Sequence, residues 1–389
     1  VTVLLAGALL ADGSLSDVLI DKGRIAAIGT VAAMPPDAMR IELAGRLLMP
    51  AFVDGHIHLD KTFLGMKFQS HRPAATLMGR IESERTQRRE ADLGIEERGA
   101  ALVRQASTFG TTAMRSHVDI DPDSKLDGLH ALLRLREAVR DIMDIQIVAF
   151  PQSGLVIAPG IADLLDQAVG EGADLVGGLD PAGIDGDVAA SLDIIFGIAE
   201  RRGVGVDIHL HDAGPLGCFE LRQIAARTKA CGLNGRVAVS HAYALGDVDA
   251  SELGRTASAL AEAGVAIMTN GPGSGAMPPL RAMAEAGVVV FAGSDNIRDA
   301  WWPYGNGDML ERAMIIGYRQ NIRTDEGLTA LYGMASVVPA QVLGLGCTGL
   351  AVGAVADLVA LDAQCVAEAV VSRPMPRWVM KAGQVVSQP

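Results

Sequence analysis

The sequence predicts an α/β protein: a (β/α)8 TIM barrel with a small β-sandwich formed by both chain ends. Three observations predict it. Eight apolar, β-branched runs, at residues 47–58, 111–119, 146–152, 175–180, 204–212, 237–241, 265–270 and 288–295, each end in a polar or ionisable residue. Seven intervals of helical character separate them. Only 4% of residues are aromatic against 49% hydrophobic, so the core is built from Ala, Val, Leu, Ile and Gly, which suits parallel strands covered by helices.

Taken in order, residues 1–46 carry short strands at 1–10, 17–21 and 24–28, broken by turn signals at Asp12-Gly13 and Lys22-Gly23. The same texture returns at 356–361 and 378–386. The two ends are expected to pair, giving a composite sandwich of residues 1–46 and 345–389 beside a barrel of residues 47–344. Within the barrel, helix-like segments at 126–140, 189–202, 216–231 and 249–263 repeat Leu, Ala and Ile at three- and four-residue steps. The segment at 81–109 reads as one longer helix whose Glu and Arg run is a solvated face. A doubly wound open sheet is the competing architecture, but neither GxGxxG nor GxxxxGK[ST] follows any strand. Eight βα units close into a barrel whose active site lies at the C-terminal strand ends, so the polar strand ends converge.

A formal net charge of −13 with no basic block disfavours a nucleic-acid or anionic-membrane partner. A small-molecule substrate fits better, and the composition leaves room for a homo-oligomer. Cys218, Cys231, Cys347 and Cys365 have neither CxxC spacing nor neighbouring ligands, so no disulfide framework or zinc knuckle is expected. With no signal-peptide pattern and no apolar run of the ~18 residues that span a bilayer, a cytoplasmic protein is expected.

The chemistry lies at the strand ends. Residues two apart in a strand face the same side, so His56 and His58 can both point into the barrel mouth. One such pair alone is weak, because a histidine on an apolar strand is more often a satisfied core residue. Here a second pair, His209 and His211, follows four strands later, and Asp295 closes the eighth strand. Imidazole with carboxylate suits one divalent metal ion, Zn2+ or Fe2+, and an open coordination position turns water into hydroxide near neutral pH. His241, with Ser240, ends strand six, where it can hydrogen-bond the nucleophile or the developing charge. Asp295, Asp212 and His211 are candidates for proton transfer, and Asp180, Gln152 and Lys61 for contacts to a polar heterocycle. His117 and Asp119, after Arg115, read as support for barrel-mouth groups. Trp301 or Trp302, after strand eight, either walls the ring by stacking or packs a lid. His71 and His130 read as surface residues, and Gly271-Pro272-Gly273-Ser274-Gly275 as a mobile or close-approach loop.

The run Pro50-Ala51-Phe52-Val53-Asp54-Gly55-His56-Ile57-His58-Leu59-Asp60-Lys61 resembles the first-strand motif of the amidohydrolase superfamily, and the resemblance covers nearly the whole chain. Residues 148–154, Ser240-His241-Ala242 and Ser294-Asp295-Asn296 look like the third, sixth and eighth strands of its cytosine deaminase branch. Gly177-Gly178-Leu179-Asp180-Pro181, His209-Leu210-His211-Asp212 and Gly305-Asn306-Gly307-Asp308-Met309 are more similar to N-isopropylammelide isopropyl amidohydrolases. The resemblance implies metal ligands at His56, His58, His209 and Asp295. It implies further active-site residues at Lys61, Gln152, Asp180, His211, Asp212, His241 and Asn296. Cytosine deaminases carry a glutamate where this chain has Asp212, which weakens cytosine itself as substrate. No lysine ends strand four, as it does in dinuclear members, so a single ion is implied.

The expected reaction is hydrolysis of a C–N bond to an amino or alkylamino group on a cytosine-like pyrimidine or a hydroxy-s-triazine. Two alternatives stand beside it, a cyclic amide or ureide hydrolase and a barrel that binds a metabolite without turning it over.

Overall fold

The computed structural model describes residues 2–30 and 38–388. Among these described residues sixteen strands fall into two sheets of eight. In chain order β1 (Thr2–Leu9), β2 (Leu15–Asp21), β3 (Arg24–Gly29), β4 (Met39–Glu42) and β5 (Leu47–Pro50) begin the first. Then β6 (Phe52–Ile57), β7 (Thr111–Asp119), β8 (Asp144–Phe150), β9 (Leu175–Leu179), β10 (Gly205–Leu210), β11 (Val237–His241), β12 (Ala266–Thr269) and β13 (Val290–Ala292) form the barrel. Finally β14 (Leu358–Leu361), β15 (Trp378–Lys381) and β16 (Gln384–Ser387) return to the first sheet.

The barrel strands pair in parallel in sequence order, as right-handed βα units require. The circle closes where Ile57 bridges Asp295 in parallel and the amide of Asp295 donates to the His56 carbonyl at 2.7 Å. Strand alternation then sorts the side chains. On β7 Met114 and Val118 join the apolar layer under the helices, and on β10 so do Val206, Ile208 and Leu210. The other parity, Arg115, His117 and Asp119 on β7 and Asp207 and His209 on β10, faces the barrel axis. The barrel interior is therefore polar and chemically loaded on top of an aliphatic ring.

The terminal strands wrap a separate core of Val3, Leu5, Val18, Ile20, Leu48, Leu358, Trp378 and Met380, which gives the β-sandwich. Two corrections to the sequence reading follow. Leu47–Pro50, expected to open the barrel, instead pairs antiparallel with β14 and touches β1, and the chain crosses into the barrel at Ala51. Ala51 donates to the Asp357 carbonyl and Phe52 to the Gly110 carbonyl, so adjacent residues serve different sheets. The helix expected at 81–109 is two, Leu77–Arg89 and Ile95–Thr108. The second starts at Gly94, whose amide donates to the Glu97 carboxylate at 3.0 Å, a local start signal that outcompetes continuation. Among the described residues no helix is long and apolar enough to cross a membrane.

Candidate active site

Three imidazoles and a carboxylate meet at the C-terminal end of the barrel. His56 Nε2 lies 3.3 Å from His58 Nε2, and His58 Nε2 lies 3.4 Å from His209 Nε2. Asp295 Oδ1 is 3.5 Å from His56 Nε2 and 3.4 Å from His58 Nε2. Four donors around an ion at ~2.0–2.2 Å form a tetrahedron with edges of ~3.3–3.6 Å, so these separations are those of a metal cage. The buried Nδ1 atoms of His58 and His209 find no hydrogen-bond partner. Four side chains this close, with the His58 and His209 Nδ1 atoms left unpartnered, fit a divalent ion.

Close backbone approach makes the cage. A Cβ on Gly293 would stand 2.6 Å from the His56 Cβ, so only glycine lets β13 come near enough to bring Asp295 to the histidines. Asp180, His241 and Asp295, each at the end of a barrel strand, have φ of 35°, 74° and 62°. Left-handed backbone at three non-glycine site residues is strain held by the surrounding fold, of the kind found at functional sites.

Electrostatics separate the groups. Burial, reinforced by the Lys61 charge, lowers His58 to about 3, and burial among neighbouring histidines holds His209 well below its usual range. Both imidazoles are neutral as a result. Asp295 stays well below the usual carboxylate range despite its burial, beside the rings of His241, His56 and His58. Asp295 Oδ2 also accepts from Asn270 Nδ2 at 2.8 Å. Burial, then His211, keeps His241 neutral. His211 titrates upward despite its burial, because Asp180 Oδ2 lies 2.9 Å from its Nδ1. The two rings stack at 4.5 Å, one neutral and one inclined to carry charge.

A cavity of about 480 Å3 opens over the cage, lined by Lys61, Gln152, Asp180, His211, His241, Asp295, Asn296 and Trp301 among others. Lys61 Nζ donates to Gln152 Oε1 at 2.7 Å and pairs with Asp119 at 2.9 Å. Asn296 Nδ2 donates to Asp299 Oδ2 at 2.6 Å. Phe150, Leu179, Pro272 and Trp302 supply apolar wall. Of the residues singled out in the sequence for proton transfer or substrate contact, Asp212 is the one kept off the cavity. Its carboxylate accepts from the Gly183 amide at 2.8 Å, on the far side of the 180–184 turn. His117 lies buried beside the cage with both ring nitrogens unpartnered. His71 is exposed, and His130, read as a surface residue, pairs there with Glu171 at 2.7 Å.

Several residues in and around the cavity escaped the sequence reading. Glu84, in the Glu and Arg run taken as solvated, is buried and accepts from Trp301 Nε1, and Arg88 of the same helix pairs with Asp121 at 2.7 Å. Those charges dock the helix over the barrel mouth, which corrects the solvated-face expectation. Tyr243 reaches His241 Nδ1 at 3.3 Å, and its position two residues after the strand-end histidine was the available signal. Arg312 lines the cavity from a helix beyond the eighth strand, with no local signal at all.

Comparison with known proteins agrees with this geometry. The profile described as the amidohydrolase family matches residues 40–387. The N-isopropylammelide isopropyl amidohydrolase of Pseudomonas sp. (strain ADP) is 33% identical over 355 residues, 89% of this chain and 87% of that protein. Among solved structures, N-isopropylammelide isopropylaminohydrolase from Burkholderia multivorans ATCC 17616 superposes with a TM-score of 0.95 at 41% identity, covering 99% of this chain and 97% of that one. The 5-methylcytosine deaminase from Klebsiella pneumoniae superposes with a TM-score of 0.88 at 27% identity, covering 100% and 98%.

Proposed function

The chain belongs to the amidohydrolase family, and from that premise we propose that it hydrolyses the exocyclic C–N bond of an alkylamino-substituted hydroxy-s-triazine. It is a metal-dependent hydrolase of carbon–nitrogen bonds in nitrogen heterocycles, and the finer substrate is our assignment. The observation that carries it is the four-donor cage on the floor of a cavity that combines ring-edge polar groups with apolar wall. A volume of about 480 Å3 lies in the ~300–1,000 Å3 range of small-molecule sites.

We assign His56, His58, His209 and Asp295 to a single ion, Zn2+ or Fe2+. A bound divalent ion would supply activation of water near neutral pH and stabilisation of the negative charge that develops on the attacked ring. With Gln152 Oε1 taken by Lys61, the Gln152 Nε2 amide is left to donate to a ring nitrogen or oxygen. Both Asp180 oxygens are engaged by His211, through its backbone amide and its Nδ1, so Asp180 orients the His211 ring toward the cavity. Neutral His241 is placed to stabilise charge developing on the ring, and Asp295 to take a proton and return it to the departing amine. Trp301 supplies a stacking face and Asn296 a polar rim contact. Asp212 braces the turn that carries Asp180. The Phe150, Leu179, Pro272 and Trp302 wall favours an alkylamine over ammonia as leaving group, since an alkyl chain there leaves water. Four unpaired cysteines and a net charge of −13 fit a cytoplasmic enzyme of a small heterocycle, without a nucleic-acid or membrane partner.

The experiment is amine release from cytosine, isocytosine, creatinine, ammelide and N-alkylammelides by protein loaded separately with Zn2+ and Fe2+. Metal-dependent turnover of an N-alkylammelide is expected. Turnover of cytosine alone, or none across the set with metal bound, overturns the assignment.

A further inference from the structure

One cage histidine is anchored from below by a chain of buried polar groups that no step above requires. His56 Nδ1 lies 2.8 Å from Ser240 Oγ, and the Ser240 hydroxyl donates to Asp207 Oδ1 at 2.9 Å. Asp207 Oδ2 accepts from Arg115 Nη1 at 2.8 Å. All four residues are buried, with Asp207, Ser240 and His56 at 0% exposure, so no water competes. Arg115 is itself clamped, donating to Gln146 Oε1 at 2.8 Å and to the Val342 carbonyl at 3.3 Å in the helix Val337–Val342.

The hydrogen count along this chain has one solution. A guanidinium only donates, and the carboxylate paired with it only accepts. Asp207 therefore takes the single Ser240 proton, which leaves Ser240 able only to accept from His56. The proton of His56 sits on Nδ1, and its Nε2 presents a lone pair to the other cage atoms. His58 and His209 have no such anchor, since their Nδ1 atoms are unpartnered. His117, 4.0 Å from the His56 ring, makes no hydrogen bond that could compete.

We propose that Arg115 and Asp207 are positioning residues that set the tautomer of His56 through Ser240, so that the ligand's lone pair is aimed before any metal arrives. The inference rests on the metal half of the proposed function and is independent of the substrate. A partner on the second ring nitrogen of a ligating histidine is worth about 10- to 100-fold in metal affinity.

The test is Asp207→Asn, read by zinc affinity and by the tautomer of His56. With an amide, the oxygen must face Arg115, so the NH2 faces Ser240 and the chain reverses. Ser240 then donates to His56 Nδ1 and forces the proton onto Nε2. Nitrogen-15 NMR of the metal-free protein is expected to show His56 changing from the Nδ1–H to the Nε2–H form. Zn2+ affinity, by chelator competition, is expected to fall about 10- to 100-fold. In a Ser240→Ala background the same Asp207→Asn change should leave Zn2+ affinity unaltered, because the link is cut. A folded Asp207→Asn protein with the wild-type tautomer or Zn2+ affinity overturns the proposal, as does an equal effect in the Ser240→Ala background. Should Asp207→Asn not fold, Ser240→Ala alone decides, with a mixed His56 tautomer and weaker Zn2+ binding expected and unchanged values overturning it. Wild-type protein that binds Zn2+ but turns over no triazine defeats the substrate assignment and leaves this test intact.

Discussion

Lys61 Nζ donates to Gln152 Oε1 at 2.7 Å, and this contact decides which end of the carboxamide the cavity meets. Lys61 is in turn held by Asp119 at 2.9 Å and faces Glu84 at 3.6 Å, so β7 and the helix Leu77–Arg89 both bear on one cavity-facing amide. The buried charges make Lys61 a positioning group and a structural one together.

Lys61→Met is therefore expected to raise KM and to destabilise the fold, since removing one partner of a buried pair costs ~3–5 kcal/mol. Arg88, 3.7 Å from Asp119, holds the loss toward the lower end. Gln152→Leu should raise KM with little change in Tm. Equal Tm losses in the two variants would show that Lys61 does not carry the buried charge balance.

Stripping metal with a chelator should abolish turnover and lower Tm, and Zn2+ should restore both. A ligand at 100 times its Kd adds ~2.7 kcal/mol to stability. Asp295→Ala should bind Zn2+ weakly, lose turnover by orders of magnitude and gain little Tm from added metal. Retained turnover after complete metal removal would contradict the cage.

Tyr243 touches His241 Nδ1 at 3.3 Å. A net hydrogen bond of ~0.5–1.5 kcal/mol corresponds to about a two- to tenfold rate effect, so Tyr243→Phe should lower kcat by that much with KM nearly constant. A loss of a thousandfold would instead make the phenol a proton donor in the reaction.

Glu220 is buried under the Asp180 turn and accepts from the Ala182 amide at 2.8 Å, and burial, with Asp212 beside it, pushes its carboxyl up to about 8. An unfolded glutamate titrates near ~4.3. Between those values the folded protein holds a proton that the unfolded chain has lost, so stability falls as pH rises through the window and levels above it. Urea midpoints measured across that range should fall for the wild type relative to Glu220→Gln. A constant difference between the two proteins would place the Glu220 titration at its ordinary value.

The barrel and most of the cage were legible in the chain because both follow from short-range rules. Alternation of period two placed His56 with His58 and sorted β7 and β10 into core and axis faces, and eight strands ending in polar residues pointed at one rim. Leu47–Pro50 was misplaced because an apolar run carries no mark of which sheet will pair with it. Glu84 and Arg88 were read as solvated because a charged helical face looks the same in sequence whether water or Trp301 and Asp121 lie opposite.

What the sequence alone determined is the strand addresses of the paired histidines and Asp295, since backbone pleat dictates where alternating side chains point, and the resemblance of their motifs singled out His56, His58, His209 and Asp295 among them. Tertiary structure alone decided the rest: that Asp212 turns to Gly183, that Gln152 is oriented by Lys61, and that Arg115 reaches His56 through Asp207 and Ser240. Each of these depends on hydrogen bonds between residues that sit on different strands or loops. Those contacts form only once the barrel closes and removes competing water, and no local pattern in the chain encodes them.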